Sequence, residues 1–312
     1  MKFIDPNVEI ILEEDPYKKI ELAGRTCYKS EPVGEDSARR FFGKLVKSKH
    51  TAMVEHAAFA FRLKGESGEH LFRQLQFAKF LNTTEVDDRL TVSGNIRALN
   101  ECELADVLLI AINAYDPYFR DLCYSLDDAA LSHTPVADIE VIPFDKYNEY
   151  LPTQYEFLSH TYTTFKFTED RGVTHEHVRH RPASFGQEST RYCNYGKDGF
   201  GNELTYMLPT TFDSWAPKFQ GMFNGLMSHI EYVYLTMVDS ADPDHLQPQQ
   251  ARAVLPQCIK ADIVITADGL EWLHIFNLRY KGTTGKPHPD MQHIMTEAYP
   301  LYRDNVYNLE LL

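Results

Sequence analysis

The 312-residue sequence predicts an α+β fold, a mixed antiparallel sheet flanked by helices, in a single large domain covering 1–312 with an inserted helical and hairpin segment at about 66–160. Three observations carry this. Strand-like runs lie far apart in the chain and are separated by stretches of helical period. No change of composition marks a second domain, and no repeat or low-complexity segment interrupts the chain. The length is ample for one large core.

In order, Val8–Leu12 reads as a strand, Pro16–Tyr28 as a helix opened by proline, and Ser37–Lys47 as a second helix. "EHAAFAFRLKG" (55–65) and "TVSGNIRAL" (91–99) read as strands, with an amphipathic helical stretch near Leu71–Leu81 between them. Residues 101–131 look helical, and 132–154, with three prolines, look like a connection. "SHTYTTFKFT" (159–168) is β-rich and pairs naturally with the earlier strands. Asp170–Val178 reads as a helix, followed by helices at Asp213–Met237 and Pro248–Val254, the latter stopped by Pro256. "IKADIVITA" (259–267) is a strand, and helices near Gly269–Arg279 and Met291–Leu309 close the fold.

Hydrophobic residues at 43% and charged residues at 24% are ordinary for a globular chain. The longest apolar runs, such as Val107–Ile112, are far too short to span a bilayer. The acidic, proline-containing start lacks the basic and apolar regions of a signal peptide, so the expected location is cytoplasmic. Five cysteines (27, 102, 123, 193 and 258) form no C-x-x-C pair, which favours reduced thiols over a disulfide framework or a cysteine-rich zinc site. A net charge of −14 opposes non-specific binding to nucleic acid.

Against that acidic background, "RHRPASFGQESTRY" (179–192) stands out. Between Arg171 and Tyr195 there are four arginines and two acids, Glu176 and Glu188. Arginine presents a planar fork of donors that matches a phosphate or the paired carbonyls of a pyrimidine or flavin ring. Arg179, Arg181 and Arg191, with Ser189 and backbone N–H groups between them, could therefore cradle a small anion such as a nucleotide. A surface loop whose arginines pair with scattered acids is the plain alternative. "THEHVRH" (174–180) contains a His-x-His spacing, but on a helix His175 and His177 point about 200° apart, and the other ligands of a zinc site are missing. No metal is expected. Neither Ser189 nor Cys193 sits in a recognisable nucleophile motif.

The run Arg179-His180-Arg181, seven residues, then Ser189, continued by Arg191-Tyr192, resembles the signature of the flavin-dependent thymidylate synthases. "AGRTCYKS" (23–30), "HTAMVEHAAFAF" (50–61), "ARAVLP" (251–256) and "FNLR" (276–279) resemble further segments of that family in the same order. The resemblance implies reductive methylation of dUMP to dTMP, with methylenetetrahydrofolate supplying the carbon and FAD, reduced by NADPH, supplying the hydride. It also implies a homotetramer with sites shared between subunits.

By the same resemblance, Gln187, Glu188, Ser189, Thr190 and Arg191 should take the nucleotide phosphate together with Arg252. Glu176, His177, Val178 and Arg179 should complete the nucleotide contacts, and Arg279 should face the uracil ring. Arg179, His180, Arg181, Gln187, Asp268 and His274 should meet the flavin, with His50 close to flavin and folate. Arg279, Ser189 and His50 are thus the residues implied at the chemistry. Departures fall on the flavin side: Asp268 stands where the family usually has Asn, Leu270 where an arginine is frequent, Ala52 for a Ser or Thr, and Asp290 for a glutamine. Three other readings stay open: a nucleotide-binding homologue without catalysis, a related flavoenzyme methylating a modified pyrimidine nucleotide, and a metal-dependent nucleotide hydrolase built on His175, His177 and His180.

Overall fold

The computed structural model describes residues 1–115 and 138–306. The helical reading of 116–131, the connection over 132–137 and residues 307–309 of the last helix lie outside them. The chain starts with β1 (Lys2–Ile4), β2 (Asn7–Ile11), α1 (Pro16–Tyr28) and α2 (Ser37–Lys47). Both helices have the bounds expected from sequence. Asp15 caps α1 by accepting the Tyr17 N–H at 2.8 Å, and Pro16 occupies the first helical position, where its missing N–H is no loss. Next come β3 (Ala58–Leu63), α3 (Gly65–Leu75), β4 (Leu81–Val86), β5 (Arg89–Asn95), α4 (Ile96–Glu101), α5 (Asp106–Tyr115) and β6 (Ile139–Val141). Then follow α6 (Tyr147–Tyr150), α7 (Gln154–His160), β7 (Tyr162–Asp170), α8 (Arg171–His177), β8 (Ser184–Gln187) and β9 (Thr205–Met207). The last elements are α9 (Pro217–Val238), α10 (Pro248–Ala251), β10 (Lys260–Asp268), α11 (Gly269–Phe276) and α12 (Pro289–Asn305).

The α+β class is borne out, but the strands divide into two four-stranded antiparallel sheets. One has the order β2-β7-β10-β8 and the other β4-β5-β3-β6, while β1 and β9 form a separate parallel pair. β4 and β5 are a tight hairpin, with Asp87 left-handed (φ 52°) in its two-residue turn. Each sheet has its own core. Phe59, Phe61, Phe72, Val92, Leu99 and Leu108 gather around the β3 sheet with α1 and α2. Phe165, Phe167, Ile263, Ile265, Trp272 and Met295 bury the β7–β10 sheet under α11 and α12.

The two sheets meet through polar contacts. His56, in the turn before β3, holds Thr266 of β10 (Nδ1 to Oγ1, 2.8 Å). Asn82 of β4 donates to the Ser159 carbonyl (2.8 Å) and to Asp268 Oδ2 (2.9 Å). His160 is clasped between Thr84 Oγ1 (2.7 Å) and Ser93 Oγ (2.8 Å).

Several elements differ from the sequence reading. The helix expected at Leu71–Leu81 runs six residues earlier, and Leu81 begins a strand. The second half of "TVSGNIRAL" is helix α4, because Asn95 caps it by accepting the Ala98 N–H at 2.9 Å. The expected connection contains β6 and α6. Ser184–Gln187, given no element from the sequence, is the edge strand β8 on β10. Among the described residues no helix is long and apolar enough to cross a membrane.

Candidate functional site

α8 starts where β7 ends: Asp170 accepts the Val173 N–H at 2.8 Å, and the helix makes two turns before releasing Val178 and Arg179. A tight turn then delivers His180 and Arg181 to β8. α11 is built the same way at the end of β10, with Asp268 Oδ1 accepting the Glu271 N–H at 2.8 Å. α11 is shorter than expected, ending at Phe276. A wider helical turn, Asn277–Lys281, prolongs it and carries Arg279. Such turns are uncommon and cluster at functional sites.

The two helix ends bring Arg279 and Glu176, 103 positions apart, into contact. Arg279 Nη1 donates to Glu176 Oε2 at 2.7 Å, Nη2 to the Glu176 carbonyl at 3.3 Å, and Nε to His180 Nε2 at 3.2 Å. His180 is buried; its Nδ1 lies 3.3 Å from Glu271 Oε1, and its ring centroid is 5.8 Å from that of the exposed His274. The ligand atoms of His180, Glu271 and His274 fall within 4.8 Å of one another. A divalent ion there would need a bare Nδ1 on His180. The ring proton would then sit on Nε2, against the Arg279 N–H, and the ion would face a guanidinium. The donor set does not suit a metal.

Gln187 is fixed by donating from Nε2 to Thr174 Oγ1 at 2.6 Å, across to α8. Glu188 is buried beneath the loop and fully engaged. Its carboxylate takes Tyr195 OH at 2.8 Å, Lys260 Nζ at 2.7 Å and the Asp262 N–H at 3.3 Å. It supports the loop from below. The Ser189 N–H donates to the Cys27 carbonyl at 3.0 Å, docking the loop on the end of α1, and Ser189 Oγ accepts the Arg191 N–H at 3.3 Å. Thr190 is buried. Arg191 is exposed over the Tyr192 ring and reaches Gln249 Oε1 at 3.4 Å, which sets α10, and Arg252 just after it, beside the loop.

Among the described residues, Arg179, Arg181, Arg191 and Arg252 are exposed and have no carboxylate within ion-pair distance, in a chain with 45 acids. The surface-loop alternative predicted acid partners for the first three.

His177 lies apart from this group. Its side chain is buried 3.2 Å from Glu169 and its ring lies 4.8 Å from that of Phe167, so it faces the core. Val178 is exposed beside it. Arg181, Asp268, Asn82, Tyr162 and Arg97 line a cleft of about 270 Å³ between the sheets. Burial holds the Asp268 carboxyl above its ordinary range. Leu270 is exposed on the same helix. His50 lies with Cys27, Tyr28, Ala52 and Met53 in a second cavity of about 340 Å³, which shares Arg97 with the first. Asp290 is used elsewhere, accepting the Thr210 N–H (2.7 Å) and hydroxyl (2.6 Å). Burial pushes the Cys27 and Cys193 thiols up to about 11, which leaves both poor nucleophiles at neutral pH.

Sequence reasoning did not single out Thr174, Asn82, Lys260 or Glu271. The one available signal was Glu271, three residues after a capping aspartate, and it read as an ordinary helix start.

The fold and site together define an α+β protein with an arginine-lined polar site where α8, β8 and α11 meet. The family described as thymidylate synthase complementing protein, Thy1, matches residues 9–95 and 146–305, and the chain belongs to this family. Residues 96–145 are unmatched, a narrower span than the 66–160 read as an insertion. Three curated relatives are flavin-dependent thymidylate synthases. That of Geobacter sulfurreducens is 32% identical over 109 residues, 35% of this chain and 43% of the relative. That of Corynebacterium efficiens is 30% identical over 120 residues (35% and 45%), and that of Pyrococcus furiosus 28% over 121 residues (38% and 47%). The matched part is less than half the length of each relative. A crystal structure of the UMP/dUMP methylase PolB from Streptomyces cacaoi superposes with a TM-score of 0.44 at 11% identity, over 99% of this chain and 94% of that one. That likeness is too loose to transfer residues.

Proposed function

We propose that the chain is a flavin-dependent synthase that methylates dUMP to dTMP, with methylenetetrahydrofolate as carbon donor and NADPH as reductant. The observation that carries this reading is the set of unpaired arginines around the Ser189 loop, beside an Arg279 held by acceptors from two other segments. Arginines without acid partners in so acidic a chain are a standing attraction for a small anion. Charge-assisted hydrogen bonds contribute about 1.5–3 kcal/mol each, so three at the upper end of that range reach the roughly 8 kcal/mol of micromolar binding.

In this reading Ser189, Arg191 and Arg252 hold the phosphate, and Glu176 aims Arg279 at the uracil ring. A guanidinium at the ring favours its N3-deprotonated form and so raises electron density at C5, the carbon that accepts the methylene group. The family's FAD suits the donor set: Arg179 and Arg181 are free for an anionic, carbonyl-rich partner, with His180, His274 and His50 at the edges of the same region. When bound, the flavin supplies the hydride. Assembly as a homotetramer in the cytoplasm, as the family resemblance implies, belongs to the same proposal.

Asp268, tied to Asn82, and Leu270 favour one rival, a nucleotide binder that has lost the flavin. Absorbance between 350 and 500 nm, followed by anaerobic NADPH with and without dUMP, separates the two. The expected result is a flavin band that bleaches with NADPH, faster when dUMP is present. No band even after adding FAD would overturn the synthase reading.

A further inference from the structure

We propose that Glu271 is a positioning residue for Arg279, acting through the tautomer of His180; the proposal rests on the uracil-facing role given to Arg279 above. Glu271 occupies the third position of α11. A glutamate there ordinarily returns to the backbone N–H of the capping residue and completes a reciprocal pair. α7 does this with Thr153 and Glu156. In α11 only half of the pair forms: Asp268 takes the Glu271 N–H, and the Glu271 carboxylate does not return. Its Oε1 is buried without a hydrogen bond and lies 3.3 Å from His180 Nδ1. A buried carboxylate oxygen that gives up its local partner is costly unless it serves another one.

The other side of the ring fixes what that partner must be. Arginine is always protonated, so Arg279 Nε is a donor, and with the fork in this position His180 Nε2, 3.2 Å away, presents its lone pair. A neutral imidazole then carries its proton on Nδ1, the nitrogen that faces Glu271. A donor on one side and an acceptor on the other select one tautomer. With Nε2 open, three acceptors aim the guanidinium: His180 Nε2, Glu176 Oε2 and the Glu176 carbonyl. Among the described residues, His274 is a further titratable neighbour of the ring, edge-on at 5.8 Å. Removing the Glu271 acceptor frees His180 to take the Nε2–H form, which sets N–H against N–H at Arg279 and lets the fork turn away.

The test uses the full chain with ¹⁵N-labelled histidine, in two-bond ¹H–¹⁵N spectra at neutral pH. The His180 signals are assigned by their loss in His180→Gln. The wild-type ring is expected in the Nδ1–H form. Glu271→Ala should move it to the Nε2–H form, whereas Glu271→Gln, whose amide oxygen still accepts, should keep Nδ1–H. Affinity for dUMP should follow, about tenfold weaker in the alanine variant, the effect of losing one ordinary hydrogen bond, and near wild type in the glutamine variant. A wild-type ring in the Nε2–H form overturns the proposal, as does an alanine variant that keeps Nδ1–H. If the tautomer behaves as stated but the protein does not bind dUMP, the functional reading falls and the Glu271–His180 coupling stands. Should the alanine variant not fold, an inverted tautomer in Glu271→Gln overturns the proposal by itself.

Discussion

His160 sits between two hydroxyls at the join of the sheets, and burial pushes its pKa down to about 3; His56 is pushed as low by the same cause. In the unfolded chain both titrate near 6.5. Between about pH 6.5 and 3 the unfolded state therefore binds more protons. The stability these residues leave intact above pH 6.5 is lost as the pH falls through that window. From pH 7 to 5 each should remove about 2 kcal/mol. Denaturant unfolding at the two pH values should show the loss, and His160→Gln should reduce the difference by about that amount. An unchanged difference would mean that His160 is not held neutral.

At this scale the site was only partly legible. The arginines announced themselves by charge contrast, and their roles came from family resemblance. Glu188 and His177 were expected among the ligand contacts, yet both side chains are buried. Nothing in a linear pattern separates a glutamate that supports a loop from one that lines it. Glu271 went unseen because its local role as a helix-start residue accounts for it fully until His180 comes near.

Among the elements, β8 has the least local support and the largest consequence for the loop. Ser-Phe-Gly-Gln has little strand propensity of its own, and the strand exists because β10 offers Thr266–Ile263 as an edge. It also presses on α1: a Cβ at Gly186 would lie 3.0 Å from both Cβ and O of Ala23. Gly186→Ala should therefore force strand and helix apart, at about 1–3 kcal/mol. Because Ser189 hangs on the Cys27 carbonyl at the end of the same helix, nucleotide affinity should fall as well. Calorimetric melting and dUMP titration check both; a variant with wild-type melting would show that the contact relaxes freely.

α1 and α2 were legible to the residue, since the apolar period of both runs over more than ten positions and α1 adds a capping aspartate and a proline at its start. The strands β1, β6, β8 and β9 were not, because each has three or four residues and is made by a distant partner.

For the whole molecule, the α+β class followed from widely spaced strands, but the division into two sheets could not be read, since it depends on which strands pair. One surface bears on the proposed tetramer. Along α9, Phe219, Met222 and Leu226 share a face and are 51%, 69% and 54% exposed. Such a stripe is unusual on a protein that works as a monomer. If the tetramer buries it, Met222→Asp combined with Leu226→Asp should lower the mass seen by light scattering to dimers or monomers. An unchanged mass would place the interface elsewhere.

The β3 sheet has a practical use that its topology creates. β5 leaves one side of β3 at Asn95, opposite Ala58, and the chain returns on the other side at Ile139, opposite Leu63. The exit and re-entry points are thus roughly 20 Å apart, two strand spacings across and five residues along. The intervening stretch falls within residues 96–145, which the family match does not cover. A folded reporter whose termini lie about 20 Å apart would match that spacing, so that strain within the β3 sheet would be read as an optical signal.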